Sequence, residues 1–439
     1  MPGTEPDMHA DRERWSRERL TEWQDERLRE TLAHATENVP FYRERFGDAG
    51  VDLAEVSGID GLLDLPFTTK EDLRENYPDG MFAVDGSEIR RLHASSGTTG
   101  KPKVVAYTEG DLDLWSEVMA RSLAAAGVEP GETVQNAYGY GLFTGGLGVH
   151  DGCERLGATV IPIGGGNTQR QVEFLADVES DVLTCTPSYA LYVAETAREM
   201  GFDPREFALS TVIIGAEPCT EPMRREIEQA LDATVIDIYG LSEVIGPGVS
   251  IECHEAQGGL HVHEDHFYPE VIDPGTGEVL PEGEEGELVF TSLTKEAFPI
   301  VRYRTGDLSS LHYGECACGR TLVRMGNVTG RTDDLLIVRG VNVYPSQIES
   351  VVLDFEAVAP YYRIDLDTEN GLDRIAITIE LEEEIDGRED RADLRERIDE
   401  RLRNVLSLSP DELRIVDPGE LERTEVGKVK RVYDRRDRE

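Results

Sequence analysis

The chain has 439 residues, of which 88 are Asp or Glu and 44 are Lys or Arg, giving a formal net charge of −44. This length allows a large core and favours two or three domains. The sequence contains no run of about 18 apolar residues, so no membrane span is predicted. The excess of carboxylates repels nucleic acid and anionic membranes, so functions that need a basic surface are excluded.

The N-terminal stretch MPGTEPDMHADRERW lacks the basic and apolar segments of a secretory signal, so we expect a cytoplasmic location. The acidic residues are spread along the whole chain, which argues against a disordered acidic tail. Adaptation to a salty, halophilic cytosol is the hypothesis that fits this spread, because concentrated salt screens self-repulsion. Only six lysines remain, and two of them lie in one glycine-rich stretch.

In chain order, the first predicted element is an amphipathic helix over residues 8–36. A short helix follows, with Thr68 or Thr69 as its N-cap. Between residues 90 and 250, apolar strand-like runs alternate with helix-like segments, which predicts an α/β fold with largely buried strands.

Residues 260–325 carry shorter β-type runs separated by Gly and Pro turns, a pattern typical of antiparallel sheet. A strand and turn over residues 335–345 then lead into a smaller unit with one clear strand and one clear helix. We therefore predict an N-terminal domain over residues 1–332 and a C-terminal domain over residues 333–439.

Residues 93–105, HASSGTTGKPKVV, have the composition of a phosphate-binding loop. The glycines allow a tight turn that exposes backbone N–H groups, and hydroxyl and lysine donors flank them. The glycines are too close together for the P-loop of nucleotide hydrolases, and Pro102 follows Lys101. The stretch is thus expected to run into a strand at Val104–Tyr107. A polar surface turn is the alternative that composition alone leaves open.

Several polar side chains follow apolar strands, where ligands bind in open α/β sheets. Glu243 in DIYGLSE offers a carboxylate for Mg²⁺ beside phosphates. Asp307 in RYRTGDL suits hydrogen bonds from ribose hydroxyls. Arg331, Asp333 and Asp334 lie at the predicted domain boundary. A strand-end Asp or Glu taken alone is more often a turn residue or a helix cap.

Taken together and in order, these stretches resemble the phenylacetate–CoA ligase family of the adenylate-forming (ANL) superfamily. The similarity runs from about residue 15 to the end of the chain. The stretches that carry it are SSGTTGKPKVVAYT, NAYGYGLFTGGLG, GATVIPIGGGNTQRQ, TPSY, GAEP, DIYGLSEVIGPGV, EDHFYPEVIDPGTGEVLPEGEEGELVFTSLTKEAFPIVRYRTGDL, GRTDDLLIVRGVNVYPSQIE and GKVKRV. The resemblance implies an α/β fold, with a large N-terminal α/β domain of mixed sheets and a smaller, mobile α+β C-terminal domain.

The resemblance also implies roles for the matching residues. Lys428 and Glu243 would be catalytic, Glu243 would bind Mg²⁺, Asp333 would be the hinge, and Gly340 would face coenzyme A. The β- and γ-phosphates of ATP would be held by Ser95, Ser96, Gly97, Thr98, Thr99, Gly100 and Lys101, with the loop continuing to Lys103. The rest of the nucleotide would be bound by Gly215, Ala216, Glu217, Pro218, Asp237, Ile238, Tyr239, Asp307 and Arg331.

The reaction that the resemblance implies is ATP-dependent ligation of an aryl acid to coenzyme A through acyl-AMP, with release of pyrophosphate and then AMP. The expected partners are an aryl carboxylic acid, ATP and coenzyme A, with a homodimer left open. Adenylyl transfer to a non-thiol cofactor acceptor is a second reading. A non-catalytic ligand-binding or zinc-scaffold protein is a third, and the presence of Lys428, Glu243 and Asp307 argues against it.

The acyl pocket is expected near NAYGYGLFTGG. Tyr138, Tyr140 and Phe143 supply aromatic walls that suit an aryl acid, and Gly215 permits close approach. Ordinary core packing is the competing explanation for each of these aromatic residues.

Two separate stretches, IECHEAQGGLHVH and GECACGRT, supply three thiols and two imidazoles. Cys253, Cys316 and Cys318 with one histidine would make a closed tetrahedral zinc site of the structural kind. His261 is favoured over His254, because a ligand next to Cys253 would strain the tetrahedral arrangement. A disulfide is not expected in a reducing cytosol.

Overall fold

The computed structural model describes residues 10–94, 102–332, 334–339, 341–369, 372–385, 388–406, 408–424 and 429–436. Some predicted site residues lie outside these ranges, and their roles stay predictions. They are Ser95, Ser96, Gly97, Thr98, Thr99, Gly100, Lys101, Asp333, Gly340 and Lys428.

The described chain begins with a short helical segment. A 3₁₀ turn over Ala10–Arg14 precedes the helices α1 (Arg17–Asn38), α2 (Pro40–Asp48), α3 (Ile59–Leu62) and α4 (Lys70–Glu75). The expected uninterrupted helix over residues 8–36 is wrong in extent, because Ser16 has an extended backbone and caps α1 with its side chain. Thr69 caps α4, whereas Thr68 is buried and donates to the Val301 carbonyl.

A β-hairpin flanks the predicted phosphate loop. Its strands are β1 (Arg91–Ala94) and β2 (Val104–Tyr107), which pair antiparallel. The strand expected at Val104–Tyr107 is therefore confirmed.

The α/β pattern predicted for residues 90–250 is confirmed by a large mixed sheet with helices between its strands. The strands from here to the domain boundary are β3 (Thr133–Asn136), β4 (Thr159–Ile161), β5 (Val182–Cys185), β6 (Thr211–Gly215), β7 (Thr234–Leu241), β8 (Ile245–Ile251), β9 (Leu260–Val262), β10 (Phe267–Ile272), β11 (Gly286–Ser292), β12 (Tyr303–Ser309), β13 (Leu311–His312), β14 (Arg324–Met325) and β15 (Gly330–Arg331). The helices are α5 (Glu109–Ala125), α6 (Gly145–Leu156), α7 (Thr168–Val178), α8 (Pro187–Glu199) and α9 (Glu221–Leu231).

The order of the large sheet is β13-β14-β9-β8-β7-β6-β5-β3-β4, and the strands from β7 to β4 run parallel. A second sheet, β10-β11-β12-β15, is antiparallel, as expected for residues 260–325. The pairing register of the strands brings predicted nucleotide-binding residues together. Gly215 on β6 lies opposite Ile238 on β7, and Asp307 on β12 lies opposite Arg331 on β15.

The C-terminal part has its own elements and its own hydrophobic cluster. They are β16 (Leu336–Val338), β17 (Val341–Val343), α10 (Pro345–Val352), β18 (Val358–Glu369), β19 (Leu372–Leu381), α11 (Arg388–Leu406), β20 (Glu412–Val416) and β21 (Val432–Asp434), with the sheet order β20-β19-β18-β21. Its buried cluster runs from Leu336 to Leu413. We call residues 10–332 the large domain and 334–436 the small domain; the boundary itself stays a prediction.

Two buried clusters form the core of the large domain. One joins the N-terminal helices, α5 and both sheets, with Trp115 and Phe290 fully buried within it. The other packs α8 and α9 against the parallel strands, around Val193 and Ile227. Among the described residues, no helix combines the length and the apolarity that a bilayer crossing requires.

Candidate active site

Glu243 is a buried carboxylate in the turn between β7 and β8. Its Oε1 accepts hydrogen bonds from the Tyr303 hydroxyl, at 2.9 Å, and from the Lys103 ammonium. Burial raises the pKa of the Glu243 carboxyl, but the Lys103 charge and these hydrogen bonds outweigh it, and the net pKa lies below its usual value. Glu243 is thus an ionised carboxylate at the end of the predicted phosphate loop, which suits it to hold a divalent cation.

Asp307, one of the predicted ribose ligands, lies in a polar cluster with Tyr239 and Arg331. The Tyr239 hydroxyl donates to Asp307 Oδ2 at 2.7 Å, and Arg331 forms an ion pair with Oδ1. Arg331 also donates to the Thr305 carbonyl at 3.1 Å. Tyr239 on β7 and Arg331 on β15 therefore meet at the carboxylate of Asp307 on β12.

The predicted adenine stretch GAEP begins where the backbones of β6 and β7 touch. A Cβ atom added to Gly215 would lie 2.4 Å from the Ile238 carbonyl oxygen, so only glycine fits here. The next residue, Ala216, has φ 69°, and both Ala216 and Pro218 are exposed. Asp237 on β7 is half-buried and lies opposite Ile214 on β6. Desolvation and the nearby Glu252 charge raise the pKa of its carboxyl to about 7.

Glu217 joins the GAEP stretch to two other parts of the chain. Its Oε2 accepts from the Ser188 hydroxyl at 2.7 Å, at the start of α8. Its Oε1 accepts from the Val429 N–H at 2.7 Å. The small domain therefore lies against the predicted nucleotide pocket, through the residue that follows Lys428 in the sequence.

The aromatic residues of the predicted acyl pocket have different environments. The Tyr138 hydroxyl donates to the Cys185 carbonyl at 2.6 Å and would lie 3.3 Å from a Cβ atom on Gly215. Tyr140 is half-buried, accepts from Asn136 at 2.8 Å, and packs edge-on against His150. Phe143 is 39% exposed. The structure thus brings Tyr138 and Gly215 together.

The predicted zinc ligands Cys253, His261, Cys316 and Cys318 form a compact cluster. Their ligand atoms all lie within 4.8 Å of one another. The sulfurs of Cys253 and Cys316 are 3.6 Å apart, as are the Cys318 sulfur and His261 Nε2. Three sulfurs and one imidazole nitrogen match the donor set of a closed tetrahedral zinc site.

The turn that carries Cys316 and Cys318 is bent at the flanking glycines. Gly314 has φ 109° and Gly319 has φ 80°, which glycine adopts without strain. Burial lowers the pKa of His261 to about 4, so the imidazole is neutral, the form that binds metal. His254, the alternative ligand, is not in the cluster.

The sequence matches two family models. Residues 22–294 match the AMP-binding enzyme family, and residues 340–436 match the C-terminal domain of AMP-binding enzymes. A phenylacetate–coenzyme A ligase from Thermus thermophilus is 51% identical over 435 residues, which cover 96% of this chain and 97% of that protein.

The chain belongs to the phenylacetate–coenzyme A ligase family.

Solved structures extend the comparison to domain arrangement. A 2-hydroxyisobutyryl-CoA ligase in the postadenylation state, bound to an acyl-AMP, matches with a TM-score of 0.90 at 29% identity, covering 96% of this chain and 91% of that one. The same ligase in the thioesterification state, with CoA, matches with a TM-score of 0.72 at 30% identity, covering 97% and 91%. The arrangement in this family member is therefore closer to the postadenylation state.

Sequence reasoning missed several polar partners at this ligase site. Tyr303 lies in RYRTGDL, the same stretch that contains Asp307, so its position is a usable signal. Ser188 lies in TPSY, which contributed to the resemblance without a role. Glu195 on α8, which contacts the small domain, has no motif around it.

Proposed function

We propose that this member of the phenylacetate–CoA ligase family activates an aryl carboxylic acid, with phenylacetate as the leading substrate, and transfers the acyl group to coenzyme A. A carboxylate oxygen attacks the α-phosphorus of ATP and pyrophosphate leaves. The thiol of coenzyme A then attacks the acyl carbonyl, its proton is lost, and AMP leaves. The observation that carries the proposal is the cluster of Tyr239, Asp307 and Arg331 beside Glu243, in a chain 51% identical to a phenylacetate–coenzyme A ligase.

The first step brings two anions together, and the proposed residues offset their repulsion. Glu243 would hold Mg²⁺, which supplies positive charge at the phosphates when it is bound. Lys428 would reach the acyl carboxylate and the α-phosphate and stabilise the charge that develops there. Asp307 and Arg331 would fix the ribose, so that the α-phosphorus is held at a constant position.

The second step needs a different face of the small domain. One lysine cannot occupy the site while the thiol enters, so rotation about Asp333 would withdraw Lys428 and present the region of Gly340. The two states of the 2-hydroxyisobutyryl-CoA ligase, which match this chain with TM-scores of 0.90 and 0.72, support such a rotation.

Tyr138 is the residue that we propose as a wall of the acyl pocket. Its hydroxyl is anchored on the Cys185 carbonyl, which fixes the ring beside Gly215. Fixed aromatic rings bind aryl groups by stacking or edge contacts. Tyr140 and Phe143 stay predictions for the same pocket.

The substrate assignment is tested by pyrophosphate release over a panel of carboxylic acids that includes phenylacetate, benzoate and straight-chain acids. We expect aryl acids to give the highest kcat/KM and the product to be a CoA thioester. Adenylyl transfer to a non-thiol acceptor is the weaker candidate, and it would appear as AMP attached covalently to an added acceptor without a thioester.

We also propose a structural zinc ion at Cys253, His261, Cys316 and Cys318. When bound, the ion would crosslink two segments that are about sixty residues apart in the sequence and so stabilise the folded chain. None of these four residues belongs to the set proposed to bind ATP, so the ion would take no part in the reaction.

The cellular setting follows from composition. We propose a cytoplasmic protein adapted to high salt, because a net charge of −44 would otherwise destabilise the compact state. A homodimer stays a prediction.

A further inference from the structure

Two described residues that flank Lys428 in the sequence, Arg423 and Val429, contact the large domain. Five residues before it, Arg423 binds Glu195 on α8. One residue after it, the Val429 N–H binds Glu217. These two contacts hold the chain against the large domain at positions on either side of Lys428 in the sequence.

The Arg423–Glu195 contact is bidentate. Arg423 Nε donates to Glu195 Oε2 at 3.1 Å, and Nη2 donates to Oε1 at 2.9 Å. The Tyr361 hydroxyl, also from the small domain, donates to Glu195 Oε2 at 3.0 Å. Glu195 therefore accepts three hydrogen bonds across the boundary, two of them from a cation, and bidentate pairs of this kind fix orientation as well as adding energy.

The small domain holds Arg423 ready for this contact. Glu380, which is 1% exposed, accepts two hydrogen bonds from the guanidinium at 2.7 and 2.9 Å. The Arg423 guanidinium also lies 3.3 Å from the centre of the Tyr361 ring. Because these contacts lie within one domain, they persist when the domains separate. Glu195 is the member of the cluster that domain rotation would remove.

Glu195 has intermediate burial, with 35% of its side chain exposed, whereas the Arg423 side chain is 14% exposed. A partly exposed ion pair is weaker than a buried one and is easily broken and reformed. That is the behaviour needed of a contact that must open in every catalytic cycle.

We propose that Glu195 is a positioning residue for adenylate formation: by binding Arg423 and Tyr361 it holds the small domain in the arrangement that brings Lys428 to the acid and ATP. This inference rests on the proposed function. The higher TM-score to the postadenylation structure, 0.90 against 0.72, supports assigning the contact to the adenylation side of the cycle.

The test compares half-reactions in the full-length protein. Glu195→Gln keeps the shape of the side chain and removes its charge. We expect acid-dependent ATP–pyrophosphate exchange to fall roughly three- to tenfold in kcat, with KM for ATP nearly unchanged. Thioester formation from supplied phenylacetyl-AMP and coenzyme A should stay at the wild-type rate or rise. Lys428→Ala should give the same split and serves as the reference.

Two further variants sharpen the comparison. Glu199→Gln removes an exposed carboxylate from the same helix and should leave both half-reactions at the wild-type rate. Tyr361→Phe keeps the ring under Arg423 but removes one hydrogen bond to Glu195, so a smaller loss in the same half-reaction is expected. Equal loss of both half-reactions in Glu195→Gln, or no loss in either, would overturn the proposal.

Amide hydrogen exchange at Val429 tests the role of the Glu195 contact independently of the enzymatic activity. Its N–H bonds Glu217 across the boundary, so Glu195→Gln should accelerate its exchange even without substrate, and Glu199→Gln should not. If the wild-type protein adenylates no aryl acid, the proposed function fails while this readout still tests the contact. Unchanged exchange at Val429 in Glu195→Gln would contradict the proposed role.

Discussion

Lys103 donates a hydrogen bond to Glu243, although the two residues are 140 positions apart in the sequence. The contact joins the end of the predicted phosphate loop to the carboxylate that we propose as the Mg²⁺ ligand. The Lys103 ammonium therefore compensates the buried charge of Glu243, as a bound divalent cation would also do.

This relationship gives a prediction for Glu243→Gln. Because the variant loses the anionic ligand, the Mg²⁺ concentration that gives half-maximal pyrophosphate release should rise by about tenfold or more. Tyr303→Phe is the matched control, since it removes a donor to the same carboxylate oxygen but leaves the charge. An unchanged Mg²⁺ requirement in Glu243→Gln would show that the cation is held elsewhere.

Zinc content tests the cysteine cluster. Elemental analysis of the wild-type protein should give about one zinc per chain, and Cys318→Ser should lose it together with roughly 5 °C or more of Tm. The preference among acids should not change. Cys153→Ser also replaces a buried thiol but should keep the metal. A zinc-free wild-type protein of normal stability would reject the site.

The pH dependence of stability is predicted at Glu226 on α9. Burial and the nearby charge of Glu382 raise the pKa of the Glu226 carboxyl to about 8, although the charge of Arg198 opposes this shift. Because this pKa exceeds the unfolded value of about 4.3, the native state binds more protons, and the contribution of Glu226 to stability falls as pH rises from about 4.3 to about 8.

Glu226→Gln removes this titration. The difference in Tm between the variant and the wild type should therefore shift in favour of the variant by roughly 2 °C or more between pH 5 and pH 8.5. Glu199→Gln, which removes an exposed carboxylate, controls for the change in net charge. A difference in Tm that stays constant across this pH range would show that Glu226 does not titrate as described.

Salt dependence tests the proposed adaptation to a salty cytosol. The free energy of unfolding should rise by about 2 kcal/mol or more between about 0.1 M and about 3 M KCl, because the salt screens the repulsion among carboxylates. Sucrose strengthens burial without screening charge and should not replace the salt. Full stability in dilute buffer would contradict the hypothesis.

The fold was largely predictable because its signals are local. The strand at Val104–Tyr107 follows from β-branched residues after Pro102, and the α/β alternation follows from apolar runs. The predicted first helix starts too early, because the Ser16 side chain accepts a hydrogen bond from the Arg19 N–H and a new helix begins there.

The site was predictable only where its residues lie in recognisable stretches. Cys253 and Cys316 were proposed as partners because thiols and imidazoles suggest a shared ion, even across 63 positions. Glu195 and Arg423 lie 228 positions apart in ordinary charged segments. No local pattern distinguishes them from the other acidic and basic residues on the surface, and only the tertiary structure pairs them.

The fate of the carboxylate oxygens shows whether the reaction passes through acyl-AMP. Phenylacetate labelled with oxygen-18 in its carboxylate is incubated with ATP, Mg²⁺ and coenzyme A, and the products are analysed by mass spectrometry. We expect one labelled oxygen in AMP for each thioester formed and none in pyrophosphate, because the acid attacks the α-phosphorus. Unlabelled AMP, or label in pyrophosphate or inorganic phosphate, would contradict an acyl-AMP intermediate.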